Sequence, residues 1–169
     1  LASWHRVAAA LFQEREQPGR VGLHLLAAGD LQEALKPLLE GAIRARRSGD
    51  TREALALLSR VDEVLDLGDP QEPMRGLSWL RRAEIHRARG EMGPVEGMVE
   101  RVDAVGEQPG WEVHRVRAAW FRALFRLRRG HFADSIVRFT AVAEALLRLE
   151  QFDQIPRTYA AMSQAAVYM

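Results

Sequence analysis

Cysteine is absent from the 169 residues. That excludes a disulfide framework, a thiolate metal site and a thiol nucleophile, and it predicts a cytoplasmic protein. Lysine is nearly absent too: Lys36 is the only one, and the other cations are arginines. The net charge of +1 gives no global field to draw nucleic acid or an anionic membrane. No run approaches the roughly 18 apolar residues of a membrane-crossing helix. The opening stretch LASWHRVAAALFQERE carries charge through its middle, unlike a signal peptide. The chain starts at Leu1 and stops inside a helical pattern at AAVYM, which predicts a piece of a longer protein. No segment alternates apolar and polar residues as a strand does.

What remains is helix, break, helix. In LQEALKPLLEGAIRARR the apolar residues Leu31, Ala34, Leu35, Leu38, Leu39, Ala42 and Ile43 recur at spacings of three and four, which puts them on one helical face. Asp30 is placed to cap this helix, and Pro37 removes a donor inside it, which predicts a kink. Asp50 or Thr51 is placed to cap the next helix, REALALLSRVDEVLDL. The same reading predicts helices over 2–15, 19–28, 74–89, 94–105, 111–129, 132–149 and 153–168. Breaks fall at 17–19, 28–30, 48–50, 68–73, 89–94, 106–110, 129–131 and 150–154. Breaks this short join antiparallel neighbours.

One phrase recurs. ARRSGDTREALALLSRV at 45–61 has echoes in HRARGEMGPVEGMVERV at 86–102 and RLRRGHFADSIVRFTAV at 126–142. Gly49, Gly90 and Gly130 stand 41 and 40 residues apart. Aligned on them, Ala42, Ala83 and Ala123 agree, as do Leu58, Val99 and Phe139, and Val61, Val102 and Val142. A fixed period of this size marks a helical repeat. The glycine ends the first helix in a left-handed turn, the alanine permits close helix approach, and the later apolar pair buries the second helix. The arginines before each glycine sit in a last helical turn, where cations complement the negative dipole end.

These positions resemble the tetratricopeptide repeat. Its eighth, fifteenth, twentieth, twenty-fourth and twenty-seventh positions match Ala42, Gly49, Ala54, Leu58 and Val61. The second unit gives Ala83, Gly90, Val95, Val99 and Val102, and the third Ala123, Gly130, Ser135, Phe139 and Val142. The period is longer than the roughly 34 residues of the family. The seventh position, usually leucine, is Gly41, Arg82 and Arg122. The resemblance implies an all-α, right-handed α-α superhelix of about nine antiparallel helices. Residues 1–30 would form a helical pair leading into repeats at 31–67, 74–105 and 111–149, with a partial one at 153–169. HLLAAGD followed by EAL also resembles the segment after the nucleotide-binding module of large bacterial signalling ATPases, found in multidomain serine/threonine kinases and transcriptional regulators. No phosphate loop or kinase motif lies in these residues.

No chemistry-bearing constellation emerges. His5, His24, His86, His114 and His131 lack HExxH and metal-pair spacing. His24 reads as a hydrogen-bonded helix-packing residue. Asp62, Glu63, Glu100 and Asp103 read as solvated outer-face charges. No cofactor, metal or catalytic residue is expected. Arginines interleaved with Trp79, Trp111 and Trp120 suit a nucleic-acid groove, but acidic residues match them and Trp79 and Trp120 fall near the apolar stripe, so no nucleic acid is expected. By the family's pattern the concave side presents Lys36, Leu39, Leu80, Glu84, Arg87, Arg117, Trp120, Leu127 and Arg128. That mixture suits an acidic, partly apolar peptide, a partner protein or another domain of the same chain. The expected role is non-catalytic protein interaction or regulation. The alternatives are an effector-binding cavity lined by Trp and Arg, or self-association through Tyr159, Met162 and Val167 into a homodimer.

Overall fold

The computed structural model describes residues 1–68 and 72–169. Of the predicted break over 68–73, residues 69–71 lie outside the described residues. Those described are helical throughout, with no strand: α1 (Ala2–Glu14), α2 (Pro18–Ala28), α3 (Leu31–Arg47), α4 (Thr51–Leu65), α5 (Pro73–Ala88), α6 (Met92–Val105), α7 (Glu112–Arg128), α8 (Phe132–Arg148) and α9 (Ile155–Val167), the last preceded by a 3-10 turn at Phe152–Gln154. Pro18, Pro73 and Pro156 occupy first turns, where a missing N–H breaks no bond. α3 runs through Pro37 as one helix.

The chain divides into two compact units, Leu1–Gly90 and Glu91–Met169. The division falls at the turn of the second predicted repeat. In the first unit each helix from α1 to α5 packs on its sequence neighbour. The core joins Leu35, Leu38 and Ala42 of α3 to Leu57, Leu58 and Val61 of α4, with Ile85 of α5 closing it. In the second unit α6, α7, α8 and α9 again pack in order. Val99 and Val102 of α6, Phe121 of α7, and Phe139 and Leu146 of α8 are buried.

The recurring register is visible atom by atom. Ala42, Ala83 and Ala123 are buried, as are Ala54, Val95 and Ser135, the Leu58–Val99–Phe139 set and the Val61–Val102–Val142 set. Gly49, Gly90 and Gly130 have φ near +80°, at 88°, 78° and 80°. At Gly49 and Gly130 the turn is the paired-bond helix stop: Asp50 N–H donates to Ala45 O and Gly49 N–H to Arg46 O, while His131 N–H donates to Arg126 O and Gly130 N–H to Leu127 O. The same bonds recur where no glycine marks them. Glu16 and Glu150 adopt φ of 52° and 56°, and Gln17 N–H and Gln151 N–H reach back to Phe12 O and Leu146 O.

The caps divide the expectations. The Asp50 carboxylate accepts from Glu53 N–H at 2.9 Å and starts α4 as expected. Asp30 stands at the start of α3 but makes no side-chain cap bond. Its two oxygens instead take Nε and Nη2 of Arg6, each at 2.7 Å, and tie α1 to the end of α2.

Candidate interaction surfaces

The eight residues expected on one groove divide between the units: Leu39, Leu80, Glu84 and Arg87 in the first, Arg117, Trp120, Leu127 and Arg128 in the second. Leu39, Leu80 and Leu127 are buried, so they support helices and have little surface to offer a ligand. Glu84 is also buried; its carboxylate holds Arg81 at 3.1 Å on its own helix and Arg46 of α3 at 3.7 Å. Arg87 and Arg117 are half-buried, and Arg117 donates to the Gln151 amide oxygen at 3.5 Å. Trp120 lies beneath the Arg157 guanidinium, 3.7 Å from the ring centroid, a cation–π contact that ties α9 to α7. Only Arg128 of the eight is exposed. Lys36, the further cation of that expectation, is exposed and pairs with Glu40 at 4.0 Å.

Asp62 is not a solvated outer-face charge. It accepts from Ser78 Oγ at 2.7 Å and pairs with Arg82 at 2.9 Å, while Arg82 also donates to Ser59 Oγ at 3.0 Å. This network fixes α5 on α4. Glu63 does sit at the surface, paired with Arg60 at 2.7 Å, and Asp103 pairs with Arg122 of α7 at 2.6 Å. Arg82 and Arg122 therefore hold the carboxylates of a neighbouring helix. Gly41 does something else. A Cβ there would lie 2.5 Å from Gly19 Cα and 2.6 Å from Gly19 N, so α2 and α3 touch backbone to backbone. Two other buried hydroxyls are spent locally: Ser135 on Phe132 O and Thr158 on Gln154 O.

His24 packs between helices, as expected, and its hydrogen-bond partner is His5 of α1, Nδ1 to Nδ1 at 3.0 Å. Nothing in the sequence pattern pairs two histidines 19 residues apart.

One open groove of the first unit is largely apolar. Leu23, Leu26, Ala27, Leu31, Val64 and Leu67 line a groove of about 420 Å³ beside the Arg60–Glu63 pair. Leu67 is 77% exposed. A second open cleft, about 370 Å³, lies where α2 begins, with Glu16, Arg20, Arg44 and Glu53 on its walls. Arg44 spans its edge, donating to Glu16 O and pairing with the Glu16 carboxylate at 3.7 Å. α1 turns Trp4, Val7 and Leu11 to solvent, at spacings that make one stripe. Trp4 is the exposed tryptophan; Trp79 is half-buried, and Trp111 and Trp120 are buried.

Among the described residues, no group of three or more His, Asp or Glu converges as a metal-ligand set, and no helix is long and apolar enough to cross a membrane. The clear pKa displacements are those of surface ion pairs. Hydrogen bonds from Arg6 hold the Asp30 carboxyl below its ordinary range, and Asp30 in turn raises Arg6. Arg138 does the same to Asp134, with Arg126 adding its charge. No protein-family model matches the chain, and neither a curated protein nor a solved structure does.

Proposed function

We propose that the chain is a tetratricopeptide-like repeat module, coiled as a right-handed superhelix in the full protein, that binds a protein segment without catalysing a reaction. The observation that carries this reading is the register. Three segments about 40 residues apart carry the same buried small and apolar positions and the same positive-φ glycine, the pattern that a helical-hairpin repeat needs. Such hairpins are rigid, so a bound segment is ordered against a surface that is already formed. The first-unit groove supplies apolar contacts and the Arg60–Glu63 edge supplies charge of both signs, which fits an amphipathic helix or an apolar peptide. That segment belongs to a partner protein or to another domain of a larger bacterial, cytoplasmic signalling protein, with any kinase or ATPase chemistry lying outside this chain.

The test is a displayed library of amphipathic peptides selected on the protein and titrated against Leu23→Arg and Leu67→Arg. Both side chains are exposed, so the variants keep the fold. Selected peptides should bind the unaltered protein at least about tenfold more tightly than either variant. A library that yields no binder sensitive to these substitutions defeats the groove reading.

Self-association is the second reading, favoured by the exposed stripe of Trp4, Val7 and Leu11 and by exposed Tyr159 and Val167. It predicts a dimer whose fraction grows over roughly a hundredfold range of concentration in light scattering, and that Val7→Glu abolishes it. The effector reading asks for an enclosed cavity lined by Trp and Arg; the grooves above are open and hold no tryptophan.

A further inference from the structure

α1 is the most lightly held helix of the first unit. Its buried side chains are Ala8 and Ala9, which remove little apolar surface from water. The rest of its hold on α2 is polar or aromatic: the Arg6–Asp30 pair, Phe12 stacked on His24 with planes 9° apart, and the His5–His24 contact. The two imidazoles meet head to head. Their Nδ1 atoms are 3.0 Å apart and their ring centroids 5.3 Å, which is the nitrogen separation plus the two ring radii. Each nitrogen therefore aims at the other, and the space between them suits one proton: one Nδ1 donates and the other accepts.

We propose that this pair is an acid-sensitive latch, in which one proton between the Nδ1 atoms holds α1 on α2 and a second proton releases it. The proton count gives the direction. The docked pair holds at most three protons on its four ring nitrogens, because one Nδ1 must keep its lone pair. Separated imidazoles hold four. Where both separated rings would be charged, opening therefore takes up one proton, and there the opening constant rises up to about tenfold for each unit of falling pH; where both are neutral the docked and separated pairs hold two protons alike.

No carboxylate is paired to offset the second charge among the described residues. Trp4 meets both rings at steep angles of 82° and 70°, with centroids 5.2 and 5.8 Å away, and Phe12 is stacked on His24. Among the described residues no carboxylate pairs with either imidazole. The charged groups of the elements packed there are engaged elsewhere. Arg6 of α1 holds Asp30, and Glu33 of α3 acts on Arg6. Arg20 of α2 lies over the Phe12 ring at 5.2 Å, and Lys36 and Glu40 of α3 pair with each other. The Asp30 carboxyl is held below its ordinary range, so the Arg6 tether stays charged while imidazoles titrate.

The experiment is native-state hydrogen exchange on the whole chain from about pH 8 to about pH 5, corrected for intrinsic exchange, with α8 amides as the internal reference. Protection of α1 should fall by up to about tenfold per pH unit through the imidazole range, and α8 should not follow. In His24→Gln the side-chain amide still bonds His5 but takes no proton, so the acid dependence of α1 should vanish. A flat profile in the unaltered protein, or the same slope in His24→Gln, overturns the latch. Imidazole ¹⁵N spectra of the unaltered protein decide independently if the variant fails to dock α1. Only one of His5 and His24 should take up a proton while α1 stays protected; both charging with α1 still protected overturns it equally.

Discussion

In the α3–α4 hairpin, Leu58 and Val61 of the second helix close on leucines of the first. In α7–α8 the same positions carry Phe139 and Val142, and the Phe139 ring lies 5.8 Å from Trp120. The turns share the same two closing bonds, at Gly49 and at Gly130. The starts of the second helices do not: Asp50 caps α4, while His131 gives α8 no side-chain cap bond. The position just before the shared alanine differs most. Gly41 lets α3 touch the backbone of α2, whereas Arg122 reaches Asp103 of α6. The register thus dictates the turn and the small-residue contact within a hairpin. What fills the core, and how the first helix meets the helix before it, is decided separately in each unit.

The sharpest way to break the comparison is to empty the shared core position. Phe139 and Leu58 are both fully buried. Phe139→Ala should cost about 4 kcal/mol and Leu58→Ala about 3 kcal/mol, the larger ring leaving the larger void. Urea unfolding followed by helix circular dichroism measures both. Equal and small losses would show that the aligned positions are not the structural centres of their hairpins.

Glycine substitutions come next, and they separate space from backbone conformation. Gly41→Ala pushes a Cβ into Gly19 backbone that has no rotamer with which to yield, and should cost about 3 kcal/mol. Gly49→Ala and Gly130→Ala meet nothing within 4 Å, so only the positive φ opposes them, at about 1 kcal/mol each. Glu150→Gly should run the other way and gain about 0.5–1 kcal/mol, since the glutamate already occupies φ of 56°. Thermal unfolding of the four variants sets the order. A Gly41→Ala loss no larger than that of Gly49→Ala would deny the backbone contact.

These positions also mark how far the sequence could be read. Helix limits and the repeat register were legible because glycine, aspartate and the three-and-four apolar spacing act locally, within a turn or two of chain. The turns at Glu16 and Glu150 were not, since a glutamate carries no signal for positive φ. The burial of residues expected on the groove was not legible, for a related reason. Leu39 and Leu127 lie on helices covered from both sides, α3 by α2 and α4, α7 by α6 and α8, so a face that one hairpin leaves open is closed by the element before it. Asp62 was misread because its partners Ser78 and Arg82 stand on the following helix. The His5–His24 pair escaped because it depends on where α1 docks, which no spacing encodes.

The smallest expected effect compares two carboxylates held by arginine in different ways. Asp30 takes both bonds from one guanidinium, Arg6, which reaches it from another helix. Asp134 takes both oxygens' bonds from Arg138 within α8 and also has Arg126 at 3.2 Å. Both carboxyls lie below their ordinary range because the charged form accepts these bonds. For such groups the stabilisation is present above the unfolded carboxyl value and is lost as pH falls through the lowered folded value. Carboxyl ¹³C titration should therefore show Arg6→Ala returning Asp30 to the ordinary carboxylate range, since its hydrogen bonds come from a single arginine. Arg138→Ala should move Asp134 only part of the way, because Arg126 remains. Solvent screens both pairs, so neither substitution should shift the unfolding midpoint near neutral pH by more than the small amount typical of surface ion pairs. An Asp134 that moves as far as Asp30 would mean that Arg126 is a bystander, and that the two units anchor their surface carboxylates alike.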